Sequence, residues 1–70
     1  MTKDLANLGE TLRALEDVRK RIEETDRILN QMQPDNSYEE EAFSAFTNVL
    51  GRYKTIRHAL EKRKKYLEQT

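Results

Sequence analysis

Gln31-Met32-Gln33-Pro34-Asp35-Asn36-Ser37-Tyr38-Glu39-Glu40 decides how this chain folds. The stretch holds the only proline and divides 70 residues almost in half. Proline lacks an amide donor and clashes with the preceding helical turn, so a first helix must stop near Met32 or Gln33. Asp35 and Asn36 are turn formers whose side chains bond nearby backbone. Ser37 and Glu40 have capping-box spacing. The serine hydroxyl would accept from the Glu40 amide, and the Glu40 carboxylate would accept from the Ser37 amide. Glu39, Glu40 and Glu41 would place negative charge where the helix dipole favours it. The expectation is a turn over residues 33–37, joining a helix over about residues 3–32 to a second over about residues 38–68.

In the first helix, Leu5, Leu8, Leu12 and Leu15 alternate three- and four-residue steps, as a coiled-coil seam requires. Ile22 and Leu29 continue the Leu8–Leu15 row. The Leu5–Leu12 row would run on into Arg19 and Asp26, so Val18, Thr25 and Met32, one position earlier, take over. The expected apolar stripe therefore shifts sideways midway, like a stammer. Ala14 and Ile28 widen it. On the opposite face Glu16–Lys20, Asp17–Arg21 and Glu23–Arg27 are acid-before-base pairs at i,i+4, each contributing about 0.2–0.5 kcal/mol. Gly9 interrupts the pattern, either at a frayed start or at a close helix contact.

In the second helix, Phe46, Val49, Tyr53, Ile56, Leu60, Arg63 and Leu67 form the expected seam, extended toward the turn by Ala42. A further row begins with Phe43 and Leu50 and continues as Arg57 and Lys64. The apolar face is therefore broad near the turn and narrow near the C-terminus. Gly51 falls on the polar side, tolerated there or approached by another backbone. Antiparallel pairing of residues whose numbers add to roughly 70 sets Lys62-Arg63-Lys64-Lys65 near Asp4 and Glu10, and Glu39–Glu41 near Arg27. Exposed pairs of this kind are weak, but they help select an orientation.

Composition bounds what such a chain can do. Charged residues make up 37% and hydrophobic residues 36%, so any core is thin. Thirteen basic and 13 acidic residues cancel, leaving no global attraction to nucleic acid or anionic lipid. The absence of cysteine excludes disulfides and thiol chemistry. No apolar run approaches the roughly 18 residues of a membrane span, and the N-terminal residues lack a signal-peptide core. The expectation is a single cytoplasmic domain over residues 1–70 with no membrane association.

Catalytic signatures are sparse. His58 is the only histidine, with Lys54, Glu61 and Lys62 as its helical neighbours. Metal ligation needs further ligands at helical spacing. Nucleophilic catalysis needs a nucleophile, a base and an orienting group together. No phosphate-binding loop is present. The expectation is no enzyme, no catalytic residue, no metal and no cofactor. One charged feature stands out: Lys54, His58, Lys62 and Lys65 form an outward stripe, flanked by Arg52, Arg57, Arg63 and Lys64, which could follow a phosphate backbone. A basic end that complements the helix dipole explains the same residues.

The central turn, the chain length and the heptads resemble in layout two groups of small helical hairpins. These are the plasmid repressor-of-primer proteins, whose hairpins pair into four-helix bundles and bind RNA, and the small type III secretion co-chaperones, which support a larger needle chaperone. The fold expected is all-α. It is a two-helix antiparallel hairpin, completed by homodimerisation into a four-helix bundle or by a larger partner protein. Fewer than about 70–80 residues with one core and no disulfide rarely hold more than about 3–5 kcal/mol. The surplus apolar residues Val18, Ile28, Met32, Phe43 and Leu50 are the expected partner-binding surface. The function expected is protein–protein interaction, as an adaptor, inhibitor or co-chaperone. RNA or DNA binding through Lys54, His58, Lys62 and Lys65 is the second possibility.

Overall fold

The structure, a computed structural model, describes the backbone of residues 2–33 and 35–69 and the side chains of residues 6–33 and 35–69. Expectations resting on Pro34, or on the side chains of Asp4 and Leu5, lie outside the described residues. Helix α1 spans Thr2–Gln31 and α2 spans Ser37–Gln69. They pack against each other as an antiparallel hairpin with no strand among the described residues, 94% of which are helical. The result is a rod of 55 × 14 × 13 Å.

Each helix end in the turn has a local cause. The Met32 amide reaches back only three residues, to the Leu29 carbonyl at 3.2 Å, which tightens the end of α1. The Asp35 amide then donates to the Gln33 carbonyl at 2.7 Å and bends the chain. Asn36 starts α2. Its Oδ1 accepts from the Glu39 amide at 2.9 Å, and its carbonyl accepts the first helical bond, from the Glu40 amide, also at 2.9 Å. Ser37, expected to be the cap, is instead the first residue inside the helix. The reason is steric economy: Asn36 can place both its carbonyl and its amide oxygen over the first turn, and asparagine caps as well as serine does. Glu39 and Glu40 occupy that first turn, with the negative charge the dipole favours.

The packing seam of α1 is more regular than expected. Thr11, Leu15, Val18, Ile22 and Thr25 are all buried, and Leu8, Leu29 and Met32 extend the same alternation of three and four residues at half-burial. No stammer occurs. Thr11, at 1% exposure, takes the place expected for Leu12, which is 45% exposed. A buried hydroxyl needs a partner, and both threonines find one on their own helix. Thr11 Oγ1 donates to the Asn7 carbonyl at 2.7 Å, and Thr25 Oγ1 donates to the Arg21 carbonyl at 2.7 Å. With the hydroxyl satisfied four residues back, threonine presents its methyl group to the partner helix and packs as a small β-branched residue.

The seam of α2 is Phe43, Phe46, Leu50, Tyr53, Arg57, Leu60, Lys64 and Leu67, of which Leu50 is buried and the rest half-buried. Phe46, Tyr53, Leu60 and Leu67 lie where the heptads place them. Their companion row is Phe43, Leu50, Arg57 and Lys64, and not Val49, Ile56 and Arg63. The helix is thus turned about its axis by one heptad row, about 50°. This puts Phe43 and Leu50 against α1 near the turn. Further along, Arg57 and Lys64 fit the same row because long aliphatic stems can lie along apolar surface while the charged heads reach water. Arg21, Thr25 and Ile28 line one groove with Tyr53, Val49 and Phe46. Paired residues in that order add to roughly 74, about one helical turn beyond the expected register.

The acid–base pairs expected on α1 do not close to salt-bridge distance. Among the described residues that distance is reached by Arg57 and Glu61 on α2, whose Nε and Oε1 lie 3.5 Å apart. Fully solvated pairs gain too little to hold two long side chains in one geometry. The basic cluster Lys62–Lys65 also stops short of the end of α2, whose last turn carries no basic residue. Its charge therefore does not serve to cap the dipole there.

Candidate functional site

The seam geometry sorts the expected partner-binding residues. Val18, at 5% exposure, and Leu50, at 9%, are buried between the two helices of the hairpin itself. Met32 and Phe43 are half-buried on the same seam, and Ile28 is half-buried at its edge. Val18 and Leu50, expected on a partner-binding surface, are thus covered within the hairpin itself. Exposed large apolar side chains on α2 include Val49 and Ile56, at 37% and 47%, because the helix is turned away from the row they form; Leu12 on α1 is also exposed, at 45%.

Seven-residue spacing shows where Val49 and Ile56 lie. Ala14, Arg21 and Ile28 on α1 and Ala42, Val49, Ile56 and Arg63 on α2 border the seam on the same flank. Ile28 and Val49 face a groove of about 190 Å³, which Arg21 and Glu24 edge on the α1 side and Phe46 and Tyr53 floor on the α2 side. Ile56 lies in a second depression, on the outer side of α2, beside Arg52 and Gly51. The rim beyond the flank is acidic on α1, at Glu10, Asp17 and Glu24. On α2 it is Ala45, Arg52, Ala59 and Tyr66, all of them exposed. Among the described residues the opposite flank is polar apart from Leu12. It carries Arg19 and Asp26 on α1 and Glu40, Thr47, Lys54, Glu61 and Glu68 on α2.

The basic stripe is partly assembled. A cleft of about 410 Å³ brings His58, Lys62 and Lys65 together with Arg19 from α1, while Lys54 is not among its lining residues. Arg19 was not expected there, because its approach depends on the inter-helix register. Glu61 and Glu68 line the same cleft, so its charge is mixed and not a continuous cationic track. Among the described residues no group of three or more His, Cys, Asp or Glu is placed to hold a metal ion. No described helix is long and apolar enough to cross a membrane.

Gly9 and Gly51 have no close neighbour: a β-carbon at either would meet nothing within 4 Å. Neither glycine is therefore required by the packing of one helix on the other. No protein-family model, curated protein or solved structure matches this chain.

Proposed function

We propose that this chain is a non-enzymatic protein–protein interaction module, an adaptor, inhibitor or co-chaperone working in the cytoplasm, and that it acts through the flank of Ile28, Val49 and Ile56. One observation carries the reading. The apolar side chains buried among the described residues are Leu15, Val18, Ile22 and Leu50, while Val49 and Ile56 stay exposed beside them. Burying a Val or Ile side chain is worth about 1.5–3 kcal/mol. A core this small leaves little margin over chain entropy, so covering that flank changes the stability of the whole hairpin.

The experiment is Val49→Glu together with Ile56→Glu, followed by sedimentation for self-association and pull-down from the native host for a foreign partner. The double variant loses the association that the wild type shows. A wild type that is a stably folded monomer, recovers no partner, and matches the double variant in both assays would overturn the reading.

A second reading, RNA or DNA binding, draws support from Arg19 joining His58, Lys62 and Lys65 in one cleft. Cationic side chains from two helices around a concavity suit a phosphate backbone, but Glu61 and Glu68 in the same cleft oppose it.

A further inference from the structure

We infer that the occupant of the Ile28–Val49–Ile56 flank is a second copy of this chain, packed so that α1 of each copy lies against α2 of the other with both turns at the same end. The inference rests on the interaction reading above and adds the partner and its orientation.

Two hairpins that share this flank across a twofold axis have two arrangements. With the axis across the rod, α1 meets α1 and α2 meets α2, and the turns lie at opposite ends. With the axis along the rod, α1 meets the other copy's α2, and the turns lie together. The rims decide between them. The α1 rim is acidic, at Glu10, Asp17 and Glu24, and the α2 side carries Arg52 and Arg63. With Arg21 counted, the α1 side is still net acidic, so like-with-like packing sets a net-acidic edge against itself and a basic edge against itself. The crossed arrangement sets the net-acidic α1 side against the basic α2 side on both edges, although Arg21 then stands about level with the other copy's Arg52.

An axis along the rod preserves height, so the register within one hairpin also holds between copies. Glu24 is then within about half a helical turn of the other copy's Arg52, and Glu10 is about level with its Arg63. Ile28 comes against Ala45 and Val49 of the second copy, and Ala14 comes against its Ile56 and Ala59. Each of the two thus meets one small and one larger neighbour across the flank. Arg21 lies on the same flank, beside Glu24 of its own helix at the groove's edge. Among the described residues, the opposite flank carries Asp26 and Glu61 among its charges and has Leu12 as its apolar member.

The chain has no cysteine, so one introduced cysteine carries a unique spin label. Gln33→Cys places the label in the turn, at an exposed position. Pulsed dipolar spectroscopy then reads the distance between the two turns. With axes packed about 8–10 Å apart, turns at one end give a distance below about 30 Å. Turns at opposite ends give a distance near the 55 Å length of the rod. Sedimentation on the same protein establishes the dimer. Glu24→Arg and Arg52→Glu each weaken it about tenfold, and the double variant recovers most of the loss. That recovery distinguishes a charge pair from damage to the fold. A long turn-to-turn distance, or a double variant weaker than either single one, overturns the orientation. A monomer overturns the second copy, and if that monomer still binds another protein through Ile56, the interaction reading stands without it.

Discussion

Asn36 Oδ1 accepts a hydrogen bond from the Glu39 amide at 2.9 Å, and this bond sets where α2 begins. Asn36→Ala is expected to cost about 0.5–2 kcal/mol, while Asn36→Asp keeps the cap and most of the stability. Ser37→Ala, one residue inside the helix, stays within about 0.5 kcal/mol. Thermal unfolding of the three variants at one protein concentration checks the order. A larger loss from Ser37→Ala than from Asn36→Ala would return the cap to the serine.

The α1 seam makes a paired prediction. Ile22→Val removes one methyl group from a buried position and costs about 0.5–1.5 kcal/mol. Leu12→Ala removes a larger group from a side chain 45% exposed, and its effect stays within about 0.5 kcal/mol. Urea titration followed by circular dichroism gives both values. A Leu12→Ala loss exceeding that of Ile22→Val would restore Leu12 to the seam.

The hairpin, its all-α class and the place of its turn were legible from Pro34, the flanking turn formers and two heptad patterns. The rotation of α2 was not. Phe46, Tyr53, Leu60 and Leu67 belong equally to a seam completed by Val49 and Ile56 and to one completed by Phe43 and Leu50. Periodicity alone weighs both rows alike. Arg57 and Lys64 argued against the second row only because their stems were counted as polar. Thr11 was passed over for the same kind of reason. Its hydroxyl suggests surface until the bond to the Asn7 carbonyl is seen. Since the surface offered to a partner was read as whatever the seam leaves uncovered, a seam read one row over placed Val18 and Leu50 on it, where the hairpin covers them.

Glycine supplies a third prediction. A β-carbon at Gly51 meets open space within the hairpin, and alanine favours a helix interior over glycine by about 1 kcal/mol. Gly51→Ala should therefore raise the unfolding midpoint. A lower midpoint, found together with weaker association, would place another molecule's backbone against this face.

The cleft around Arg19 gives a fourth. If it binds nucleic acid, Arg19→Gln together with Lys62→Gln and Lys65→Gln weakens binding and flattens its dependence on salt. Fluorescence anisotropy with mixed RNA and DNA at low ionic strength is the measurement. Wild type without salt-sensitive binding would end that reading. His58→Ala, at an exposed position, is expected to leave fold and assembly unchanged by the sedimentation and melting assays above.

The two ends of the seam are chemically unlike. Near the turn, Ile22, Leu29 and Met32 meet a row that begins with both phenylalanines of the chain, Phe43 and Phe46. Toward the free ends, Leu8, Thr11 and Leu15 face a seam in which Leu60 and Leu67 alternate with Arg57 and Lys64, whose charged heads stay hydrated whether the helices are together or apart. Separation therefore exposes less oily surface at the free ends than at the turn. The rod is expected to open like a pair of tweezers, tips first, with amide hydrogens toward the tips exchanging with solvent sooner than those beside the aromatic layer.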